Sequence, residues 1–189
     1  MLSNALSKLR ILKQAPHSKQ VGFTLIELMV GVALIGVISA IAIPNLNTFI
    51  IKMRIDNEIS AMQRLLLTAR NTAINTGQNV TVCPLSGTAC ATTNDWTGPV
   101  AVISVDGIVT EKSAINTGDK LQYPYAKIVY SATGRLNTIN ESGTFSYCPE
   151  GHNEYSRGID VTISGRTYTS QNDSNGISKD RNNNSITCS

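Results

Sequence analysis

The chain has 189 residues, of which 41% are hydrophobic and 15% are charged, and its formal net charge is +3. This length allows one folded domain of about 130 residues beside an N-terminal segment. The first 22 residues contain four basic residues and no acid, so the remainder has 12 basic against 13 acidic residues. Beyond residue 22 the chain is therefore close to neutral, and its overall charge does not favour the nucleic-acid-binding class.

An apolar run follows this basic segment. Residues 23–43 read FTLIELMVGVALIGVISAIAI, with Glu27 as their one charged residue. About 20 apolar residues suffice for a transmembrane helix, and basic residues before such a helix favour a cytoplasmic N-terminus. We therefore predict a basic cytoplasmic segment at 1–22, the transmembrane half of a helix at 23–43, and export of everything beyond it.

Glu27 is unusual in this run, because a carboxylate at the centre of a spanning helix costs about 2.5–3.5 kcal/mol. It could snorkel from the cytoplasmic end of the helix to the lipid headgroups. Alternatively, cleavage after Gly22 would make Phe23 a new amino terminus, whose amine would pair with Glu27 in the same or a neighbouring subunit.

Ordinary signal peptidase could instead cut after the AIA at 40–42 and release a soluble protein. A 42-residue leader with an acid in its apolar core fits that enzyme poorly.

The stretch KQVGFTLIEL resembles the processing site of type IV pilins and type II secretion pseudopilins. In that family a prepilin peptidase cuts after the glycine and methylates the new amine. The resemblance implies cleavage between Gly22 and Phe23, N-methylation of Phe23, and a role for Glu27 in assembly. The apolar segment would stay as a membrane anchor and later form the fibre core. The leader of 22 residues is longer than those common in pilins whose first residue is Phe.

The sequence keeps a helical periodicity after the apolar run. Apolar residues recur at steps of three and four through residues 46–73, with charged residues between them. We predict that the helix continues as an amphipathic half at 44–76 and ends near Gly77, a suitable C-terminal cap. Its apolar stripe should pack against a sheet.

Short β-rich runs separated by turn residues follow Gly77. We predict an α+β fold, in which the long N-terminal helix packs on a C-terminal antiparallel β-sheet domain at 77–170. Asp106-Gly107 indicates a hairpin in an antiparallel meander. Residues 171–189 are too polar for a core and are predicted to be a loop or tail. The predicted strands are 79–84, 99–105, 107–112, 126–131, 143–148, 158–163 and 166–170.

All four cysteines lie on the exported side, where an oxidising compartment favours two disulfides. Of the three pairings that four cysteines allow, we expect Cys83–Cys90, which bounds the loop CPLSGTAC. Cys148–Cys188 would then tie the polar tail to a strand. A zinc site needs shorter cysteine spacing, so we expect no metal and no other cofactor.

The stretch LLLTARNTAINTGQNVTVCPLSGTACATTNDWTGPVAV is similar to FimT/FimU minor pilins and the related H-type pseudopilins, as are GTFSYC and GIDVTISGR further on. The resemblance implies a low-abundance subunit of a tip or priming complex from which a pilus grows. Its implied partners are other minor and major pilins, the prepilin peptidase and an inner-membrane assembly platform. Its implied location is the inner membrane, with the C-terminal domain in the periplasm, and then the fibre at the cell surface. An H-type pseudopilin of a type II secretion system is an open alternative.

DNA binding is a second alternative. Some FimT-like pilins bind DNA for natural transformation through a C-terminal Gly-Arg-x-Arg motif, and this chain has Gly165-Arg166-Thr167-Tyr168. Basic side chains near this motif would contact phosphates, and Tyr168 would stack on a base. Three aspartates, at 160, 173 and 180, nearly cancel those cations. The candidate DNA contacts are Arg157, Arg166, Tyr168, Lys179 and Arg181.

An enzyme is the competing class. The two histidines are His17 in the leader and His152, which we expect in an exposed turn. The chain has no Gly-x-Ser-x-Gly elbow and no paired acid motif. The stretch NDSNGISKD resembles a calcium loop, but Gln171 and Asn182 occupy its two key acidic positions. We expect a protein without enzymatic activity.

Overall fold

The computed structural model describes residues 22–188. The predicted leader, apart from Gly22, lies outside these residues. The chain divides into two compact units, Met1–Pro44 and Asn45–Ser189. No helix of the described residues combines the length and the apolarity needed to span a membrane.

Helix α1 (Leu25–Thr76) contains residues of both units. It ends at Thr76, and Gly77 follows with φ +67°. This left-handed conformation is the one that glycine adopts most readily after the last helical residue. The helix therefore ends where the sequence predicted.

Eleven short strands follow the helix within the described residues, together with 3₁₀ turns at Ile139–Glu141 and Asn153–Tyr155. The strands are β1 (Val80–Ser86), β2 (Ala89–Cys90), β3 (Val100–Ser104), β4 (Gly107–Lys112), β5 (Lys120–Gln122), β6 (Ile128–Tyr130), β7 (Gly143–Cys148), β8 (Arg157–Val161), β9 (Thr167–Thr169), β10 (Gln171–Asn172) and β11 (Ser178–Lys179).

These strands form two main antiparallel sheets. The first has the order β2-β1-β3-β4, and β6 also pairs with β1; the second has the order β5-β7-β8-β9. β3 and β4 form the predicted hairpin, with Val105 and Asp106 at the turn. The prediction of an antiparallel meander is wrong, because β5 joins the second sheet and β6 returns to pair with β1.

The core of the second unit lies between α1 and the sheets. Ile55, Met62 and Leu66 on the helix pack with Trp96 and Phe145. The indole N–H of Trp96 donates to the Tyr125 carbonyl, and its ring meets the edge of Phe145 at 4.9 Å between centroids. The hydrogen bond satisfies the polar atom of a fully buried indole. The predicted packing of the helix on a sheet is confirmed.

The polar tail is more ordered than the sequence indicated. β10 and β11 pair as a hairpin, which the prediction of a loop at 171–189 did not include. Ile186 is 8% exposed and packs on Gly158, where a Cβ atom would lie 2.6 Å from the Ile186 Cδ1. The bare backbone of Gly158 thus makes room for the one large apolar side chain at the end of the tail.

Candidate assembly and binding sites

Glu27 takes part in a capping box at the start of α1. The Thr24 backbone N–H and hydroxyl donate to Glu27 Oε2 at 2.9 and 2.8 Å, and the Glu27 N–H donates to the Thr24 hydroxyl at 3.3 Å. These bonds satisfy backbone donors that a helix N-terminus otherwise leaves free. The Thr-x-x-Glu spacing is the sequence signal for this motif, and the sequence reasoning missed it.

The predicted cleavage site lies directly before this capping box. Gly22 and Phe23 precede the helix, both are exposed, and no atom lies within 4 Å of where a Gly22 Cβ would be. Phe23 is 90% exposed. Cleavage after Gly22 would therefore place a free amine on the residue next to Thr24, whose N–H already holds the Glu27 carboxylate.

Apolar side chains of α1 are exposed in each unit. In the first unit they run along the helix from Leu25 to Ile43, at 51–75% exposure. In the second unit the side chains at the start of the predicted stripe are also exposed, at 46–56%, while those from Ile59 onward are buried. The exposed members in the second unit are Leu46, Phe49, Ile50 and Met53. Exposed apolar surface of this extent is typical of a protein–protein or membrane interaction site.

The structure contains the two disulfides that the sequence predicted. Cys83–Cys90 joins β1 to β2, with 5.5 Å between the Cα atoms. Cys148–Cys188 joins the end of β7 to the tail, with 5.8 Å between the Cα atoms. The second bond anchors the tail beside the second sheet.

Three of the five candidate DNA contacts lie together. The guanidinium carbon of Arg181 is 3.9 Å from the centre of the Tyr168 ring. A hydrogen bond from Arg166 and the positive charges of Arg181 and Arg166 lower the pKa of the Tyr168 phenol. Arg181 thus reaches from the tail to the ring that stands where the motif's second arginine would be.

The other two cations are engaged elsewhere. Arg157 donates to Asn172 Oδ1 at 2.5 Å, and its Nε lies 3.8 Å from Asp56. Lys179 Nζ lies 3.9 Å from Asp173 and donates to the Ser185 hydroxyl at 3.0 Å. Both cations therefore have acidic neighbours, which weakens their attraction for phosphates.

The neighbouring aspartates hold the tail in place. Asp160 is 7% exposed and accepts hydrogen bonds from the Thr144 hydroxyl at 2.6 Å and the Arg181 N–H at 2.8 Å. Asp180 accepts from the N–H groups of Asn182 and Asn184 at 2.9 and 2.7 Å. Asp160 thus positions the backbone of Arg181 beside Tyr168.

Gly165, the glycine of the Gly-Arg pair, is required by packing. It has φ +73°, and a Cβ atom there would lie 2.0 Å from the Gly134 carbonyl oxygen. That oxygen accepts a hydrogen bond from Arg70 of α1 at 2.9 Å. The β8–β9 turn, which presents Arg166, is thereby fixed against the helix.

A groove of about 640 Å³ lies beside Tyr168 and Arg181. We call it the tail groove; it is bounded by β9, β10, β11, the following turn and Gln63 of α1. No sequence signal linked Gln63 to the tail, because more than 100 residues separate them along the chain.

Two family models and one curated relative match this chain. Residues 58–165 match the family model of the type II transport protein GspH, and residues 17–43 match that of the prokaryotic N-terminal methylation motif. The type IV major fimbrial protein FimA of Dichelobacter nodosus is 33% identical over 112 residues. The match covers 58% of this chain and 65% of that protein. The chain thus spans less than two thirds of that relative's length.

Two solved structures are similar. The type IV minor pilin FimU of Pseudomonas aeruginosa shares the fold with a TM-score of 0.52 and 14% identity, over 62% of this chain and 88% of that chain. The minor pseudopilin EpsH from the Type 2 Secretion System of Vibrio cholerae has a TM-score of 0.45 and 15% identity, over 61% and 95% of the two chains. The GspH match alone spans more than half of the sequence. The chain therefore belongs to the GspH family, in the group of type IV pilins and pseudopilins.

Proposed function

We propose that this chain is a minor pilin of a type IV pilus. Prepilin peptidase would cut it between Gly22 and Phe23 and methylate the Phe23 amine. The mature subunit would anchor in the inner membrane and then join the fibre tip or priming complex that starts assembly. The observation that carries the proposal is the capping box, because it holds the Glu27 carboxylate one residue from the new amine.

The capping box gives Glu27 a defined position for pairing with a cation. Its Oε2 accepts both Thr24 bonds, so the carboxylate points to the start of the helix. A methylated amine remains positively charged, and a carboxylate of a neighbouring helix would neutralise it. Among packed apolar helices an unpaired charge is costly, so this pair would select one axial register.

The partners we propose are other major and minor pilins and the inner-membrane assembly platform. The exposed apolar side chains of α1 support this proposal, because helices of neighbouring subunits would cover them. In the second unit the exposed group Leu46, Phe49, Ile50 and Met53 would contact such a helix. Burying apolar area contributes about 25 cal/mol per Å² to association before its entropic costs.

The proposed role is assembly and not catalysis. His152, the histidine within the described residues, lies in a surface turn as predicted. Its ring stacks on Tyr155, and its Nδ1 is 3.3 Å from the Glu154 carboxylate. These contacts support a structural role for His152.

Two substitutions separate the charge of Glu27 from its capping role. Glu27→Gln removes the charge, but glutamine at this position still caps a helix. Thr24→Val removes the capping hydroxyl and keeps Glu27. We expect Glu27→Gln to lower incorporation into sheared fibres about tenfold or more, since losing one partner of such a pair costs a few kcal/mol. Thr24→Val should have a smaller effect, because a cap contributes about 0.5–2 kcal/mol.

The measurement compares each variant with wild type in the native host. Intact mass should first show equal amounts of protein that begins at N-methylated Phe23. The subunit is then counted in sheared fibres. Wild-type incorporation of Glu27→Gln would exclude the charge pair, and a mature chain that begins at Ile43 would exclude the whole assignment.

An H-type pseudopilin of a type II secretion system would use the same residues in a different machine. Deleting the gene from the native host distinguishes the two proposals. Loss of surface pili with normal protein secretion supports the minor pilin. Loss of secretion with normal pili supports the pseudopilin.

DNA binding for natural transformation is the second candidate. The adjacency of Arg166, Tyr168 and Arg181 favours it. The acidic neighbours of Arg157 and Lys179 count against it. If the site binds DNA, Arg166→Gln should weaken binding of a short duplex and reduce the salt dependence of that binding.

A further inference from the structure

The tail groove is lined mainly by residues whose side chains can donate or accept hydrogen bonds. Besides Tyr168 and Arg181, its lining includes Gln63, Gln171 and Asn183, whose side chains are amides. None of these three amide groups makes a side-chain hydrogen bond within the part of the chain that the structure describes. Each amide both donates and accepts, so the three suit a ligand whose groups also do both.

The charges of the lining cancel. Lys179 and Arg181 contribute two positive charges, and Asp173 and Asp180 contribute two negative charges. Lys179 lies 3.9 Å from Asp173, so these opposite charges partly neutralise each other locally. A polyanion would meet two carboxylates in the groove, whereas an uncharged ligand would not be repelled. The polar lining also disfavours a purely apolar ligand.

Tyr168 and Arg181 together form a flat surface at the groove. The guanidinium carbon of Arg181 lies 3.9 Å from the centre of the Tyr168 ring, and a guanidinium carries five N–H donors. Such a pair can contact the C–H face of a sugar ring while its donors reach hydroxyl oxygens.

The groove is held in shape before any ligand arrives. Cys148–Cys188 anchors the tail, and Asp160 Oδ2 accepts the Arg181 N–H at 2.8 Å. The buried hydroxyl of Ser170, just before β10, lies 2.7 Å from that of Ser178, the first residue of β11. A backbone that is already held in place loses less entropy on binding than a mobile one, which favours affinity for a weakly interacting ligand.

Asn183 adds a backbone feature at the rim. Its φ of +65° is the one left-handed conformation of a non-glycine residue within residues 22–188. Its N–H donates to the Asp180 carbonyl at 3.1 Å. Asparagine tolerates this conformation better than most residues, and here the conformation places Asn183 in the groove lining.

We propose that the tail groove binds a neutral glycan chain. The polyhydroxylated surface of such a chain matches the three amides, the flat Tyr168–Arg181 pair and the balanced charge. A groove of about 640 Å³ is within the usual range for ligand sites, about 300–1,000 Å³. The proposal does not depend on the assembly role, because the groove uses neither Glu27 nor the exposed apolar side chains of α1.

Calorimetric titration of the full processed chain tests the proposal. A polyoxyethylene detergent keeps the chain in solution without adding sugar headgroups. The probes are cellohexaose, maltohexaose and chitohexaose, with a single-stranded oligonucleotide as the competing ligand. At least one hexasaccharide should bind with a Kd below about 1 mM. Its affinity should not change between about 50 and 200 mM salt, because an uncharged ligand releases no counterions.

Variants then locate the bound glycan. Tyr168→Ala and Gln171→Ala should each weaken binding about tenfold. Gln63→Ala tests the helix side of the groove and should also weaken it, which keeps the test valid if a strand variant folds poorly. Gln78→Ala removes an exposed glutamine outside the groove and should leave binding unchanged. Equal melting temperatures would confirm that the variants fold.

Two outcomes would overturn the proposal. The first is that none of the three hexasaccharides binds to the folded protein, or that binding is unaffected by all three groove variants. The second is that the oligonucleotide binds at the groove with an affinity that falls steeply with salt, which would assign the site to DNA instead.

Discussion

Gly165 shows how one residue can serve packing where the sequence indicated binding. Its φ is +73°, and a side chain would overlap the Gly134 carbonyl oxygen at 2.0 Å. Gly165→Ala should therefore lower the free energy of unfolding by about 2–5 kcal/mol, from left-handed strain and overpacking together. Urea denaturation of the purified chain measures this change.

Gly151→Ala is the matched control for that experiment. Gly151 has a similar φ of +70°, but no atom lies within 4 Å of its Cβ position. Gly151→Ala should lower the free energy of unfolding only by the strain of the left-handed backbone, about 1–2 kcal/mol. Equal losses in both variants would show that the contact with Gly134 does not matter.

The sequence identified Glu27 as important but gave an incomplete reason. Its position after Gly22 and Phe23 indicated a charge pair, which depends on a cleaved terminus and a neighbouring subunit. The structure adds the hydrogen bonds with Thr24, a local interaction that the Thr-x-x-Glu spacing could have revealed. By contrast, no local pattern could have placed Gln63 beside the tail, because that contact depends on how the helix packs.

At the scale of elements, the predicted strands were found where alternation and turn residues were both clear. The strand at 143–148 coincides with β7, and 107–112 coincides with β4. The strands that the prediction missed, β2, β5, β10 and β11, have only two or three residues. Such short strands have too few residues to show the alternation of apolar and polar residues that predicts a strand. Their pairing depends on neighbours brought together by folding.

The two disulfides should stabilise their elements unequally. In the chain-entropy model the contribution rises with the length of the closed loop. The cysteines are 40 residues apart in Cys148–Cys188 and 7 apart in Cys83–Cys90. Replacing both cysteines by serine should therefore cost about 4 kcal/mol for the first pair and about 2.5 kcal/mol for the second.

Thermal unfolding of the two double-serine variants compares these costs. Loss of Cys148–Cys188 should also free the tail, so proteolysis should begin within residues 171–188. Loss of Cys83–Cys90 should leave the tail protected, because the tail contacts the second sheet and not the β1–β2 hairpin. The opposite order of stabilities would contradict the argument from loop length.

At the scale of the whole molecule, three of the six tyrosines are buried in the core, where they couple stability to alkaline pH. Burial raises the pKa of Tyr123, Tyr130 and Tyr147. In Tyr147 a hydrogen bond to the Asp119 carboxylate raises the pKa further. The folded state therefore keeps these protons at a pH where the unfolded chain has released them.

The sign of this coupling predicts alkaline unfolding. Below the unfolded pKa of about 10 the contribution is fully present. Above it the unfolded state binds fewer protons than the folded state, so stability should fall by roughly 1.4 kcal/mol per pH unit for each tyrosine, or about 4 for three. Urea denaturation at a series of pH values measures this fall in stability per pH unit.

Tyr130→Phe should reduce the fall by about a third, because it removes one ionisable group. The Tyr130 hydroxyl has no hydrogen-bond partner in the described residues, so this change should disturb the core little. Tyr168→Phe removes a tyrosine outside the buried core whose pKa is lowered, and it should not reduce the fall. A slope that Tyr130→Phe leaves unchanged would show that the buried tyrosines do not control alkaline stability.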